Sequence, residues 1–263
     1  MAINPNNALD LRNVCYVAAS GNGKGVAIQN MGLIPAKPFL AIFDPYGEYR
    51  WKDRKGGLGG RAVYHFTDRR SFARSFVTAW NSKKPFRLAY QPSGGTSRTE
   101  LLWFCRLMWE ASDGKRELHV LVEEMARMTE TAGKEDSILG ECYTGGRKFG
   151  QIWHAAFQRS SEIPKTVWSN SPFKAIGGQE SMIDAERMAK ELSCTVADVI
   201  ELGKLNQDWA VNGKKTRLHY LLKRPGLGNF EKVAVSVRAN KHLAKLIKPE
   251  LKTDCWRGYK KLF

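Results

Sequence analysis

No apolar run in the 263 residues approaches the roughly 18 to 20 that a membrane-spanning helix needs, and the first residues lack a basic stretch followed by an apolar one. Both absences lead to the expectation of a soluble, cytoplasmic chain without a membrane span. Cysteine is sparse. Cys15, Cys105, Cys142, Cys194 and Cys255 are odd in number, widely spaced and never in a CxxC pair, which argues against a disulfide framework and against a zinc site. They read as reduced thiols that mostly pack. The histidines are equally scattered: His65, His119, His154, His219 and His242 never recur three or four residues apart, so a helical zinc site has no support. His119 and His154 lie within apolar runs and read as core histidines with bonded partners. Ser160 and Ser161 lack the strand-to-helix turn that a nucleophilic serine needs. Internal repeats and low-complexity tracts are absent too.

Acidic residues are the other shortage. Against 42 Lys and Arg stand 26 Asp and Glu, a formal charge of +16. Such an excess attracts polyanions over about a Debye length, and nucleic acid is the commonest of them. The competing reading, that these side chains merely solvate the surface, carries less weight for an excess this large.

What is present is an ordinary globular composition, 43% hydrophobic and 26% charged, in a chain long enough for one large α/β domain with an appendage. The apolar runs Val14–Ala18, Phe39–Phe43, Ala62–Phe66, Phe86–Tyr90, His119–Val122 and Ile152–Phe157 are short and bounded by Gly, Pro or charge, as strands buried on both faces are. Segments of helical period lie between several of them, chiefly Ser71–Asn81, Thr99–Ala111 and Ser137–Lys148. Alternation of this kind predicts crossover units and a mainly parallel central sheet. Leu101, Leu102, Cys105, Met108 and Trp109 fall at helical spacing and are assigned to packing rather than to base stacking.

Beyond Gly177, Glu180–Ser193 reads as an amphipathic helix with Met182, Ile183, Met188 and Leu192 inward, and Thr195 caps a further short helix. Two alternating segments then flank a turn over Pro225–Asn229, as a two-stranded ribbon does. From Asn240 the chain is mainly basic, with Lys241, Lys245, Lys248, Lys252, Arg257, Lys260 and Lys261 interleaved by Trp256, Tyr259 and Phe263. The expected division is a core over residues 1–193 and a C-terminal part over 194–263, packed on it.

The stretch VCYVAASGNGKGVAIQ (Val14–Gln29) carries the chemistry. Glycines free successive backbone N–H groups to face a phosphate, and a lysine reaches the outer phosphates. Ser20, Gly21, Asn22, Gly23 and Lys24 supply such a turn, and Gly25 and Val26 enter a helix. Gly25 stands where a Ser or Thr hydroxyl normally holds magnesium. A second requirement, acid at the end of a neighbouring buried strand, is met by Glu123 and Glu124. The first would sit near magnesium, usually through water, and the second would orient or deprotonate an attacking water; two solvated acids opening a helix is the plainer alternative. Gln158 ends a third apolar strand, where an amide can touch both phosphate and water, with Arg147 and Arg159 on either side.

The strand–SGNGKG–helix start, FLAIFDPYGEY, HVLVEE and above all GRKFGQIWHAAFQRSSEIPKTVWSN together resemble the FtsK/HerA superfamily of P-loop ATPases that pump DNA. The chain's small size is similar to the genome-packaging ATPases of membrane-containing, double-jelly-roll viruses. The similarity runs from about Val14 to Leu192. It implies a RecA-like P-loop NTPase core, ATP and Mg2+ as cofactors, nucleotide at subunit interfaces and a hexameric ring around double-stranded DNA. By the same resemblance Lys24 binds phosphates, Glu123 serves the metal, Glu124 the catalytic water, Gln158 senses nucleotide, and Arg147 is a finger presented to the neighbouring subunit. Arg69, Arg70 and Arg98 are the expected pore contacts, and a capsid or portal vertex is an expected partner, in the host cytoplasm or at the packaging vertex of the virion. Gly25 departs from the family pattern; water, Asp44 or Glu48 is the replacement ligand to consider, and Ser20 a less apt one. Two other readings stand beside this one: a Zot-like phage extrusion ATPase, which normally carries a membrane span, and a non-catalytic scaffold that binds nucleotide and nucleic acid.

Overall fold

The apolar runs become strands because, lacking polar alternation, they can be satisfied only with both faces covered. In the computed structural model, which describes residues 8–52, 55–130, 132–212 and 216–238, the chain runs β1 (Val14–Val17), α1 (Lys24–Asn30), β2 (Phe39–Phe43), β3 (Trp51–Lys52), β4 (Lys55–Gly56), β5 (Tyr64–Phe66), α2 (Arg69–Asn81), β6 (Phe86–Tyr90), α3 (Arg98–Ala111) and β7 (Leu118–Val122). It continues with α4 (Ile138–Gly145), β8 (Gln151–Phe157), α5 (Lys165–Ser169), β9 (Phe173–Ile176), α6 (Met182–Leu192), α7 (Val196–Asn212), β10 (Arg217–Lys223) and β11 (Phe230–Ser236). Among the described residues nine strands form one sheet in the order β11-β10-β9-β1-β8-β7-β2-β6-β5. From β9 to β5 all neighbours are parallel, whereas β10 and β11 run antiparallel at one edge. This is an α/β architecture with a mainly parallel central sheet, as the alternation of elements predicts, and it has the form of the RecA-like core that the resemblance implies.

Parallel strands put their carboxyl ends on one side, and helices cover both faces. On one face Phe72 and Phe76 of α2, Phe104 and Met108 of α3, Tyr143 of α4 and Met188 of α6 pack on the strands. On the other, Ile28 of α1 and Tyr49 of the loop after β2 join Tyr16, Leu40, Ile42 and Tyr220. Each such side chain contributes about 1.5–3 kcal/mol of burial free energy. Helix starts follow their caps: Asp68 accepts from the Ser71 amide, Ser97 from Glu100 and Ser137 from Leu139. Thr195 and Asp198 bond each other's backbone amides in a reciprocal cap that opens α7.

Three local expectations are corrected. Met182 and Ile183 are 55% and 71% exposed rather than inward; Asp184 and Ala185 turn to the core in their place because Asp184 is needed by the Ser160 hydroxyl. The helix expected over Ser137–Lys148 ends at Gly145 and tightens into a 3-10 turn, Gly146–Phe149. Gly150, at φ 83°, closes that turn beside the Arg116 carbonyl, where a Cβ would lie 2.4 Å from the oxygen. The short helix expected after Thr195 runs for 17 residues as α7. Strand β9, unread in the sequence, joins β1 to the ribbon. The basic tail from Asn240 lies outside the described residues.

Candidate nucleotide site

The site begins where β1 leaves the sheet. The Ala19 amide bonds the Gly178 carbonyl at 3.0 Å and the Asn22 amide bonds the Ala19 carbonyl at 3.0 Å, folding Ser20–Gly23 back over the strand end. Gly23 caps α1 at φ 84°, and a Cβ there would meet Leu218 Cδ1 at 2.4 Å and the Tyr220 oxygen at 2.6 Å. Conformation and packing therefore both demand glycine. Tyr220 of β10 donates to the Gly23 carbonyl at 2.7 Å. The ribbon is thus a support for the phosphate loop, and β10–β11 completes the sheet beside it.

The loop opens onto a cleft of about 410 Å³ lined among others by Gly21, Lys24, Glu48, Tyr49, Glu123 and Gln158. Larger depressions elsewhere lack this combination of loop, lysine and acids. Lys24 Nζ lies 3.1 Å from Glu124 Oε1, and Gln158 Nε2 donates to the same oxygen at 3.0 Å. Strand order explains the meeting: β8 lies between β1 and β7, so the ends of all three strands converge. Glu124 sits in left-handed backbone, φ 50°, which swings it back over the strand end. Burial opposes ionisation of Glu124, but the Gln158 hydrogen bond and the Lys24 charge outweigh it and hold the carboxyl below its usual range.

Glu123 points the other way and is 4% exposed. Burial lifts its carboxyl to about 7, against the Lys24 charge and a hydrogen bond from the Tyr49 hydroxyl. Tyr49 is placed by Asp44, whose Oδ2 accepts its amide at 3.1 Å while Oδ1 accepts the Glu48 amide at 2.8 Å. His65 Nε2 lies 2.9 Å from the same Oδ2. Asp44 is fully buried and fully engaged in holding its own loop, so of the two acids considered as replacement ligands only Glu48 faces the cleft.

Magnesium binds through one or two carboxylates plus substrate phosphates, and Glu123, a buried carboxylate in the wall of the cleft that Lys24 also lines, fits that demand. Gly25 is not forced by crowding. A Cβ there would meet only Gln29 Nε2, at 4.0 Å.

The remaining sequence-predicted residues lie elsewhere. Arg147 precedes β8, at the end of that strand opposite Gln158, and donates to the Leu9 carbonyl. Arg69 makes a two-pronged bond to Glu100, at 2.8 and 2.9 Å, and Arg98 makes one to Glu135 while also pairing with Glu130 at 3.0 Å. Arg70 is exposed. Arg159 leans on Asp184 at 3.4 Å. Ser20 is exposed at the rim.

His119 and His154 do have bonded partners: Tyr16 Oη lies 3.1 Å from His154 Nδ1, and His154 Nε2 lies 3.0 Å from His119 Nδ1. Burial drops His119 to about 3 and His154 well below its ordinary value, so both rings are neutral near pH 7. Among the described residues no three acids, histidines or cysteines cluster as a preformed metal site.

Sequence reasoning missed Tyr49 and Tyr220 as parts of the site. Tyr49 closes the DPYGEY stretch, so a signal existed. Tyr220 had none, because its partner lies 197 residues away.

No model of a protein family matches the chain. Protein P9 of Pseudoalteromonas phage PM2 is 28% identical over 116 residues, 43% of this chain and 53% of that protein, so the match spans about half of the curated relative's length. Among solved structures, the genome packaging NTPase B204 of Sulfolobus turreted icosahedral virus 2, in complex with ATP-gammaS, superposes with a TM-score of 0.54 at 14% identity, over 87% of this chain and 98% of that one. The DNA-packaging ATPase B204 of Sulfolobus turreted icosahedral virus gives 0.54 at 11% identity, over 84% and 96%. The fold is therefore shared with viral packaging NTPases over nearly their whole length. Among the described residues no helix is long and apolar enough to cross a membrane.

Proposed function

We propose that the chain hydrolyses ATP and uses the cycle to drive double-stranded DNA into a preformed viral capsid, as one subunit of a hexameric ring. The observation that carries this reading is the convergence of Lys24, Glu124 and Gln158 at the mouth of the phosphate loop. Lys24 is held by a carboxylate that a triphosphate can replace as its partner. Once Lys24 turns to phosphate, Glu124 keeps the Gln158 bond and presents an ionised oxygen able to take a proton from water. Gln158 links that oxygen to the end of β8, which supports a sensing role for its amide. Glu123 would hold magnesium, which when bound neutralises charge on the phosphates.

Arg147 lies a seven-residue strand away from Gln158, on the order of 20 Å. It is out of reach of its own cleft, which fits a finger presented to a neighbour. Net charge favours DNA as the partner. Of the pore candidates Arg70 is the one turned to solvent, whereas Arg69 and Arg98 are committed to carboxylates of their own chain. Contacts of this type are to phosphates, salt-sensitive and indifferent to sequence. The protein would act in the host cytoplasm and at the capsid vertex, where a portal protein is a fitting partner.

A second reading, a scaffold that binds nucleotide without turnover, is favoured by Gly25 alone. ATP hydrolysis with and without double-stranded DNA, beside Lys24→Ala, separates the two. Turnover that requires Lys24 and rises with DNA supports the motor; nucleotide binding without turnover under any DNA condition supports the scaffold.

A further inference from the structure

The glycine at position 25 removes the hydroxyl that a phosphate loop usually gives the metal, which makes the placing of the acid on the neighbouring strand the more important. Here that residue has no side chain, although α1 leaves room for one. Across the cleft a different hydroxyl already touches that acid: Tyr49 donates to Glu123 Oε1. We propose that Tyr49 is the positioning residue that orients Glu123 toward the metal. The proposal rests on reading the cleft as a magnesium–nucleotide site.

Three features make Tyr49 suited to this. It is 2% exposed, so water does not compete for its hydroxyl. Its backbone is pinned through the Asp44 carboxylate, which also takes the Glu48 amide and faces His65, so the phenol arrives on a braced loop rather than a flexible one. And the ring packs beside Leu40, Ile42 and Leu58 in the core of that sheet face, which fixes its direction. Groups that orient a metal ligand from behind are worth about 10- to 100-fold in metal affinity.

The test uses the full-length protein with ADP and with Mn2+ as a paramagnetic stand-in for Mg2+, the bound metal being read by electron paramagnetic resonance. Nucleotide affinity is measured separately in EDTA. Tyr49→Phe is expected to bind ADP in EDTA as the wild type does, but to hold Mn2+ in the ADP complex roughly 10-fold or more weakly. Gly25→Ser supplies a direct hydroxyl ligand and is expected to raise Mn2+ affinity whichever residue stands at position 49, so the roughly 10-fold gap between Tyr and Phe there should persist in the Gly25→Ser background. Tyr49→Phe keeps the ring and its packing, so a gap in Mn2+ binding at unchanged ADP affinity reads the hydroxyl itself. Unchanged Mn2+ binding in Tyr49→Phe, in either background, overturns the proposal while leaving the nucleotide site intact. Failure of the wild type to bind ADP in EDTA overturns the reading of the cleft, and the proposal with it.

Discussion

Tyr220, in the ribbon near the end of the described chain, donates its phenolic proton to the carbonyl of Gly23, the residue that caps the first helix. Two elements nearly two hundred residues apart thus share one turn, and the turn is the one that opens the candidate nucleotide cleft.

Removing that phenol has a bounded cost. The Gly23 carbonyl also accepts the Val26 and Ala27 amides, so Tyr220→Phe leaves no orphaned acceptor and is expected to cost about 0.5–1.5 kcal/mol. Gly23→Ala is expected to cost more, since its Cβ collides with Leu218 and Tyr220 and the backbone is left-handed. Urea midpoints for the two variants check the order, and a smaller loss in Gly23→Ala than in Tyr220→Phe would contradict the packing described.

The proposed roles separate catalysis from binding. Glu124→Gln is expected to bind ATP at least as tightly as the wild type, because Lys24 no longer has a charged partner to leave, while turnover falls by about 10²- to 10⁴-fold. Lys24→Ala is expected to lose both. Isothermal titration beside a phosphate-release assay reads the two effects independently.

Stability should fall between pH 7 and pH 5 through the paired histidines. The unfolded chain takes up protons at these rings near pH 6.5, and the folded chain resists until far lower, about 3 for His119. Unfolding therefore absorbs protons across that window, and each ring contributes up to about 1.4 kcal/mol per pH unit. Arg12, whose charge also disfavours protonation, adds to the effect, and Glu117 lies near His119 on the other side. Glu123 works in the opposite direction, since a carboxyl lifted to about 7 holds its proton when folded. His119→Gln against wild type isolates the histidine: the variant's stability should decline less steeply, by close to one proton, in melting curves taken at half-unit steps.

The three arginines expected at the pore divide into two bound to carboxylates of their own chain and one, Arg70, turned to solvent. Arg98→Ala leaves Glu135, 7% exposed, without its two-pronged partner and is expected to cost about 1–3 kcal/mol. Arg70→Ala is expected to leave the melting temperature unchanged and to reduce the slope of log affinity for DNA against log salt by about 0.9. Fluorescence anisotropy over a salt series measures that slope, and an unchanged slope removes Arg70 from the interface.

Much of this was readable in the sequence because it is local. The apolar runs before Gly21 and Glu123, and the run before Gln158, each mark a strand end, and chemistry at the carboxyl ends of parallel strands follows from strand polarity alone. What was not readable depends on pairings between distant segments. The role of β9 follows only once β1 and β10 need a strand between them. Met182 and Ile183 looked inward by period, yet a single buried acid, Asp184, set the rotation of α6 through its bond to Ser160. The commitment of Arg69 and Arg98 to carboxylates likewise needed three-dimensional neighbours, since neither partner lies within one helical turn.

The left-handed backbone at Glu124 carries one more implication. A side chain other than glycine or asparagine in that conformation costs about 1–2 kcal/mol, so in Glu124→Gly the relief of that strain is set against the loss of the Lys24 and Gln158 contacts. On the role proposed for Glu124, a search for stability alone would relax this backbone at the expense of turnover. One pair of backbone angles would then record what the proposed reaction asks of the fold.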